Sequence, residues 1–188
     1  MAKPKSEEKR NAIMSAAARV IASQGLGAPT AVIAQEAGVA NGTLFTYFET
    51  KADLFNELYV ALKAERASAS LKGLPVTADL RKQMFHLWSH AMDWAMTHPE
   101  KRRALAQLSV SDEISEASRA AGHKAMSGVA RLLEQSRAGG VMRNAPMGFV
   151  VAIMNSVGDA TMEFMTQDPV NAKKHAKAGF DALWRVLT

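Results

Sequence analysis

The stretch Ala28–Leu54, APTAVIAQEAGVANGTLFTYFETKADL, decides the fold that this sequence predicts. Pro29 suits the first turn of a helix, where the missing N–H is not needed. Ile33 and Ala37 share one apolar helix face, and Gly38 follows at once. Glycine tolerates the left-handed conformation with which many helices end. The pattern therefore predicts a short helix that stops in a tight turn.

A second short helix is predicted directly after this turn. Val39 is expected to be the buried pivot of the turn, and Leu44 and Phe48 recur at i, i+4 on the helix that follows. The outward positions are then Asn41, Thr43, Thr46 and Tyr47. This is the pattern of a helix-turn-helix, whose second helix lies in the major groove of DNA.

The segment IAQEAGVANGTLFTYFETKADL resembles the DNA-binding signature of the TetR/AcrR family of bacterial transcriptional regulators. The shared features are Ile33-Ala34, Ala37-Gly38-Val39, Gly42-Thr43-Leu44, Tyr47-Phe48, Lys51 and Leu54. The resemblance implies an all-α protein with an N-terminal three-helix head that carries the helix-turn-helix. It also implies a larger helical body for ligand binding and dimerisation. We expect the head to span residues 1–50 and the body residues 51–188.

Several residues of the motif are candidates for contact with double-stranded DNA. Phosphate contacts supply much of the affinity, and contacts to base edges supply the specificity. Lys51 is the one cation of the motif that is placed to meet a phosphate, and Phe45 and Thr46 are the candidates for reading bases. The family often has a hydroxyl residue and then a basic residue where this chain has Ala40-Asn41. The full predicted set is Thr30, Asn41, Gly42, Thr43, Phe45, Thr46, Tyr47 and Lys51, and the resemblance gives Thr43 and Tyr47 their backbone-contacting role.

Composition permits DNA binding without demonstrating it. The net charge is +5, but residues 1–51 hold six basic and four acidic side chains. Lys3–Arg10 is expected to be a basic arm that either follows the DNA or is a solvated terminus. The chain has no cysteine, no apolar run of the ~20 residues that span a bilayer and no secretory signal. We therefore expect a soluble, cytoplasmic protein that does not bind membranes.

The rest of the chain shows helical periodicity and no alternating pattern of a strand. Thr77 is expected to cap a long helix, and Thr97-His98-Pro99-Glu100 resembles a capping box. Helices are predicted at 7–24, 51–71 and 78–96, followed by a short helix that ends at residue 108. A further helix is predicted from 111 to 135 or beyond. The last two are predicted to begin at 144–146 and reach 166, and to begin at 168–169 and reach 186.

The last two predicted helices carry the candidate dimer interface. Residues 147–165 are apolar nearly all round, and Gly148, Ala152, Ser156 and Ala160 form a ridge that permits close helix approach. Two helices from each of two subunits can form a four-helix interface, although the same residues can simply complete a monomer core. The candidate interface residues are Phe149, Ile153, Val157, Ala160, Phe180 and Trp184.

The helix that begins near residue 78 is a candidate wall of an effector site. Methionine and aromatic side chains make an adaptable apolar lining, although at helical spacing they more often fill a core. The family resemblance implies a small-molecule inducer inside the body. The candidate lining residues are Met84, Trp88, Met92, Met126, Met154 and Phe164.

No motif of catalysis is present. His86 and His90 have a spacing that suits a metal, but no further ligand accompanies them, and the sequence has no GxSxG, P-loop or GxGxxG. We expect no enzymatic activity, no metal and no cofactor.

The sequence and the family resemblance together predict a homodimeric, ligand-responsive transcriptional regulator, a repressor that an inducer releases from a palindromic operator. The alternative is a helical dimeric interaction module whose head has lost sequence-specific DNA binding.

Overall fold

The computed structural model describes the backbone of residues 4–188 and the side chains of residues 6–188. Within these residues the chain is all α-helical, as predicted, and contains no strand. The helices described are α1 Pro4–Gln24, α2 Thr30–Glu36, α3 Asn41–Tyr47, α4 Lys51–Leu71, α5 Leu80–Thr97, α6 Pro99–Ser109, α7 Glu116–Ala125, α8 Ser127–Arg137, α9 Met147–Gln167, a short 3-10 helix Pro169–Asn171, and α10 Ala172–Leu187.

The described chain divides into two compact units. The first holds the described residues up to Glu65 together with His98–Ala125, and the second holds Arg66–Thr97 together with Met126–Thr188. The boundary falls inside α4, so each unit contains part of that helix. The expected functional division after residue 50 stays a prediction.

The first helix begins earlier than the sequence pattern indicated. α1 starts at Pro4, whereas we expected a helix from Glu7 and an arm over Lys3–Arg10. Lys3 and the side chain of Lys5 lie outside the described residues. The expectation of an irregular arm is wrong for the backbone from Pro4 onward, which is already helical.

The apolar face of α1 is buried in the first unit, as predicted. Arg10, one turn before that face, forms an ion pair with Glu57 of α4 and lies 5.3 Å from the centre of the Phe48 ring. At the other end of α1, Gln107 Nε2 of α6 donates to the Ile21 carbonyl oxygen at 3.0 Å. The buried side chains of α1 and of its neighbour α6 are Ile13, Ala16, Ala17, Ala18, Val20, Ile21, Ala104, Leu105 and Leu108.

The turn between α2 and α3 is a helix C-cap built around one glycine. Gly38 has a φ of +68°, and its N–H donates to the Gln35 carbonyl at 3.0 Å. The Val39 N–H donates to the Ala34 carbonyl at 3.0 Å. This pair of hydrogen bonds is the Schellman arrangement, which satisfies carbonyls that the helix end leaves free. Val39 itself is half-buried, so its expected role as a buried pivot is wrong: the backbone hydrogen bonds form the turn.

In the second unit, Trp88 joins α5 to two other helices. Its Nε1–H donates to the Ala176 carbonyl of α10 at 2.8 Å. A Cβ atom added at Gly158 of α9 would lie 3.5 Å from Met92 Cε and 3.9 Å from the Trp88 ring. These are ordinary van der Waals distances, so Met92 and Trp88 of α5 pack directly beside Gly158 of α9.

The caps expected at the starts of α5 and α6 are both wrong. α5 begins at Leu80, and Asp79 Oδ1 accepts a hydrogen bond from the Lys82 N–H at 2.9 Å, so Asp79 takes the role expected of Thr77. Thr97 is the last residue of α5, and His98 precedes α6 without a side-chain cap, so the four residues 97–100 form no capping box.

The helix expected from residue 111 to 135 is two helices. α7 begins at Glu116, because Asn56 of α4 holds the preceding loop: its Oδ1 accepts from the Ser115 N–H at 2.8 Å and its Nδ2 donates to the Glu113 carbonyl at 2.9 Å. The helix is then interrupted at Met126, where φ is −87° and ψ is 2°. The expected single helix is therefore wrong at its start and in its middle.

We predict that Gly38→Ala destabilises the protein. A left-handed backbone costs a residue with a Cβ atom about 1–2 kcal/mol, which should lower the melting temperature by roughly 2–8 °C. Gly27→Ala is the matched control, because Gly27 has no positive φ and a Cβ atom there meets nothing within 4 Å. Circular dichroism melts of the two variants and the parent provide the comparison. Equal melting temperatures for the two variants would contradict this account of the turn.

Candidate nucleic-acid interface

Helix α3 presents one face to solvent because two side chains fix the other face inside. Leu44 is 0% exposed, and Phe48, the C-cap residue directly after the helix, is 2% exposed. The residues between and before them therefore point outward or lie at the edge. Asn41, Gly42, Phe45 and Thr46 are exposed, and Thr43 and Tyr47 are half-buried.

The exposed face of α3 combines an apolar ring with a hydroxyl group. The Phe45 side chain is 42% exposed, although it is a large apolar group. The Thr46 hydroxyl donates to the Gly42 carbonyl of its own helix at 3.2 Å, which leaves the methyl group and an oxygen lone pair directed away from that bond. An aromatic ring and a methyl group suit the thymine methyl, and an acceptor suits the amino groups of adenine or cytosine.

Tyr47 ends α3 beside an open groove of about 620 Å³ in the first unit. The groove is polar on one side, where Glu49, Asp53 and Glu57 contribute carboxylates and Arg10 contributes a guanidinium. Three carboxylates next to one cation do not attract a phosphate. The polar groove therefore limits how far along the surface of this unit a DNA backbone can be accommodated.

The first turn of α4 is held by an internal capping box. Asp53 Oδ2 accepts hydrogen bonds from the Thr50 N–H at 3.0 Å and from the Thr50 hydroxyl at 2.7 Å. The Thr50 hydroxyl oxygen accepts in turn from the Asp53 N–H at 3.0 Å. Lys51 lies between them, and its Nζ donates to the Leu26 carbonyl at 2.6 Å and lies 5.2 Å from the centre of the Phe55 ring.

Thr30 opens α2 as a half-buried residue, directly after Pro29, whose backbone is extended. On the same helix, the exposed Glu36 accepts from Arg19 Nε of α1 at 2.6 Å. Together with the Arg10–Glu57 pair, this contact means that two of the cations expected in the head already have anionic partners. Helix α3 itself carries no charged side chain.

The predicted effector residues all lie in the second unit. Met84, Trp88 and Met92 of α5 are buried, and Met126 and Met154 are half-buried. Phe164 differs, because its ring is 57% exposed and lines an open surface groove. Arg66 of α4 adds a polar group to this unit: burial lowers its pKa, and the charge of Asp159 on α9 opposes that change.

The surface groove lies between α9 and α10 and has a volume of about 440 Å³. Most of the side chains that line it are small or apolar. A Cβ atom at Gly179 would collide with Thr161, so α10 approaches α9 closely at this point. Its lining comprises Ser156, Val157, Ala160, Thr161, Phe164, His175, Ala178 and Gly179. Two of the six predicted dimer residues, Val157 and Ala160, therefore line an open apolar surface.

The other four predicted dimer residues differ in exposure. Phe149 is 56% exposed, and Ile153 and Trp184 are half-buried. Phe180 is only 3% exposed, because it packs edge-on against Phe85 with ring centroids 5.0 Å apart and stacks on Trp184 at 5.9 Å. Phe180 thus belongs to the interior of the second unit, where it packs against Phe85 and Trp184.

Sequence reasoning missed the polar pair at the end of this groove. His175 Nε2 lies 3.0 Å from Asp168 Oδ2, and Asp168 Oδ1 also accepts from the Asn171 N–H at 3.4 Å. The hydrogen bond from His175 is the main reason that the pKa of Asp168 is lowered. An aspartate before a proline was recognised as a helix start, but its bond to a histidine seven residues later had no local signal.

His86 and His90 make contacts that explain their spacing without a metal. Their rings stack with centroids 3.8 Å apart. His86 Nε2 lies 2.9 Å from the Lys72 carbonyl, and His90 Nδ1 lies 3.0 Å from the His86 carbonyl. Among the described residues, no three side chains of His, Asp or Glu are grouped so that they could hold a metal ion.

Comparison with known proteins assigns the helix-turn-helix to a known class. A sequence profile described as "Bacterial regulatory proteins, tetR family" matches residues 13–58. A protein from Shewanella sp. PV-4, classed as a tetR family transcription regulator, is 30% identical, with 94% of this chain and 96% of that chain covered and a TM-score of 0.81.

Two less similar solved structures share the fold. A TetR family transcription regulator from Marinobacter aquaeolei VT8 is 18% identical, with 97% of each chain covered and a TM-score of 0.80. The TetR-like regulator LfrR from Mycobacterium smegmatis, solved in complex with proflavine, is 17% identical, with 96% of this chain and 98% of that chain covered and a TM-score of 0.69.

Among the helices described here, none has the length and apolar character needed to cross a membrane.

Proposed function

The chain belongs to the TetR family of bacterial transcription regulators, and from that premise we propose that it is a homodimeric repressor. A small-molecule inducer would release this repressor from a palindromic DNA operator. The observation that carries the proposal is the exposed face of α3, which Leu44 and Phe48 hold outward from the core of the first unit.

The proposed DNA contacts divide into those that position the protein and those that read sequence. Hydroxyl groups of Thr30, Thr43 and Tyr47 would bond to phosphates. Phe45 and Thr46 would contact base edges in the major groove. Asn41 and Gly42 open α3 and belong to the same proposed DNA-contacting surface. The N-cap residue Ala40 supplies no side-chain hydrogen bond to this first turn. Lys51 would support the same surface from the first turn of α4.

The proposed effector site lies in the second unit, around α5. Met84, Trp88 and Met92 form a buried apolar row on this helix, and Met126 and Met154 would extend its lining. Methionine side chains adapt to ligands of different shape. The LfrR structure in complex with proflavine supports the proposal that this fold accommodates a small molecule. Phe164, with its exposed ring, would contribute only at an edge of the site.

Regulation requires only a modest coupling between the effector site and DNA. A tenfold to hundredfold loss of operator affinity corresponds to ~1.4–2.8 kcal/mol. The chain passes between the two units at three places: within α4 at Glu65–Arg66, between α5 and α6 at Thr97–His98, and between α7 and α8 at Ala125–Met126. Ligand-dependent displacement of these segments would change the spacing of the two recognition helices in a dimer.

A second copy of the chain would cover the α9–α10 surface. Phe149 and Phe164 leave more than half of their surface exposed, and the ridge of Gly148, Ala152, Ser156 and Ala160 is exposed between them. Small residues permit close approach of a partner helix, and two-fold symmetry matches a palindromic operator. Ile153, Val157 and Trp184 would extend this interface.

The first experiment titrates the purified protein against the DNA immediately upstream of its own gene. We expect a protected near-palindrome that binds at least ~10³-fold more tightly than a scrambled competitor, the lower end of specific recognition. The titration is run at two salt concentrations beside the competitor, and the complex is footprinted.

Equal binding to the upstream fragment and the competitor would have two explanations: the operator lies elsewhere in the genome, or the head has no sequence specificity. Selection of bound fragments from the whole genome separates these two cases. Failure to enrich any sequence would overturn the repressor proposal and favour the helical interaction module.

Substitutions in α3 should separate positioning from reading. Tyr47→Phe removes one hydroxyl, so affinity for operator and competitor should fall together by roughly 10- to 150-fold, because a hydrogen bond to a charged phosphate is worth about 1.5–3 kcal/mol. Phe45→Ala should cost ~1–3 kcal/mol of operator binding at the base pair that the ring contacts and leave competitor binding unchanged. Fluorescence anisotropy with both DNA fragments measures the two affinities. The proposed role of Phe45 fails if Phe45→Ala lowers both affinities equally, and the proposed role of Tyr47 fails if Tyr47→Phe leaves competitor binding unchanged.

A charge on the α9 ridge should dissociate the dimer. Ala160→Glu places a carboxylate on the proposed apolar interface, where burial of an unpaired charge is costly. Ala120→Glu is the control, since Ala120 is an exposed residue of α7. Sedimentation equilibrium should give a monomer for Ala160→Glu and a dimer for the control and the parent. A dimeric Ala160→Glu protein would exclude this surface as the interface.

A further inference from the structure

Arg66 lies on the inward side of α4 in the second unit. Ser70, four residues further along the helix, is 3% exposed, and so is the neighbouring Ala67. Residues four apart share one face of a helix, so the Arg66 side chain leaves α4 on the face that packs inside the unit. Arg66 itself is half-buried, and a small molecule from solvent can therefore reach its guanidinium.

The protein offers the Arg66 guanidinium no partner at close range. Within the described part of the chain, the one hydrogen bond of Arg66 outside the helix backbone uses its carbonyl, which accepts from the Ser70 hydroxyl at 2.9 Å. Glu65, the preceding residue, binds Lys101 Nζ at 2.8 and 2.9 Å instead. No acidic residue lies three or four positions away on α4, where the side chains are those of Leu62, Lys63, Ala69 and Ser70.

Asp159 of α9 supplies a counter-charge to Arg66 without a hydrogen bond to it. Burial lowers the pKa of Arg66, and the charge of Asp159 offsets only part of this effect. Asp159 is an exposed residue, so solvent and salt screen its charge. Arginine stays protonated in proteins. The unit therefore contains a cation whose lost hydration is not replaced by hydrogen bonds, an arrangement that costs stability.

The side of α9 that carries Asp159 runs beside the methionines of α5. Thr166 lies seven residues after Asp159, on the same side of α9, and its hydroxyl donates to Met96 Sδ at 3.7 Å. Gly158, the residue before Asp159, packs beside Met92. Met92 is buried, whereas Met96 is 36% exposed. The charge that acts on the guanidinium therefore lies beside the apolar row of the proposed effector site.

We propose that the effector is a small organic carboxylate, whose anionic group binds the Arg66 guanidinium and whose apolar body packs along Met92 and Met96. This inference rests on the proposed function, because it names the chemical class of the ligand for the same effector site. A guanidinium presents parallel N–H donors that match the two oxygens of a carboxylate. A monoanion fits better than a phosphate, since Asp159 would repel a second negative charge.

The uncompensated charge is tested first, without ligand. Arg66→Met keeps an unbranched side chain and removes the guanidinium. The melting temperature should rise by roughly 3–8 °C, because an apolar side chain in place of a desolvated charge is often stabilising. Arg131→Met is the matched control, since Arg131 is an exposed arginine of α8 in the same unit, and it should shift the melting temperature by about 2 °C or less.

A melting temperature of Arg66→Met no higher than that of the control would overturn the proposal. It would mean that groups of the protein itself already compensate the guanidinium, which then needs no ligand anion.

Binding is measured by isothermal titration calorimetry with paired probes. Decanoate, 2-naphthoate and indole-3-acetate are each titrated beside the corresponding primary amide, which has the same body and no charge. At least one carboxylate should bind the parent protein roughly 10- to 150-fold more tightly than its amide, the value of a hydrogen bond to a charged group. Arg66→Met should lose this preference and keep the affinity for the amide. Arg66→Lys should keep part of the preference, and Arg131→Met should bind as the parent does.

Three calorimetric results would overturn the proposal: no carboxylate of the panel binds, a carboxylate and its amide bind equally, or Arg66→Met binds the carboxylate as tightly as the parent. None of these measurements needs DNA, so their failure is distinct from failure of the repressor proposal. The carboxylate that binds is then added to the protein–operator complex, where it should weaken operator binding roughly 10- to 100-fold. Unchanged operator affinity would refute its role as the effector.

Discussion

Burial of Leu44 and Phe48 is the constraint on which the DNA-facing surface depends. A helix of seven residues is too short to hold itself in water, because nucleation costs more than its few hydrogen bonds return. Helix α3 therefore persists because these two side chains are enclosed by the first unit. Their spacing also fixes the register of the helix, and Phe45 and Thr46 are exposed as a direct consequence.

The same unit uses much of its described positive charge for internal contacts. Arg10 pairs with Glu57, Arg19 pairs with Glu36, and Lys51 bonds to a backbone carbonyl. Exposed ion pairs contribute only ~0–1 kcal/mol each to stability, so their main effect is to fix where charge lies. Helix α3 itself presents hydroxyl groups, an amide and an aromatic ring to solvent. If the proposed contacts of α3 form, sequence recognition depends on shape and uncharged contacts more than on attraction to phosphate.

Much of this fold and of the candidate interface could be predicted, because the decisive signals are local. Both ends of α4 and the outward face of α3 followed from i, i+4 spacing and from glycine at the turn. The start of α7 was placed too early, because the local N-cap is Ser115, whose hydroxyl accepts from the Ser118 N–H at 3.2 Å, and Asn56 on a distant helix holds the loop before it. The contact of Lys51 with Leu26 was missed for the same reason: a lysine at a helix start looks identical whether its partner is a phosphate or a carbonyl. Periodicity likewise could not separate the buried Phe180 from the exposed Phe164, because both lie on apolar stripes.

The distribution of apolar side chains around α9 supports the proposed assembly. One side of the helix packs inside the second unit, where Val150, Met162 and Met165 are buried. The opposite side keeps Phe149 and Phe164 more than half exposed, with only small side chains in the ridge between them. Each buried aromatic ring is worth ~1.5–3 kcal/mol relative to an exposed one, so this surface forgoes a substantial gain in the isolated chain. A second copy laid across the ridge would recover that gain on both chains at once, because a two-fold axis presents the same residues from each side.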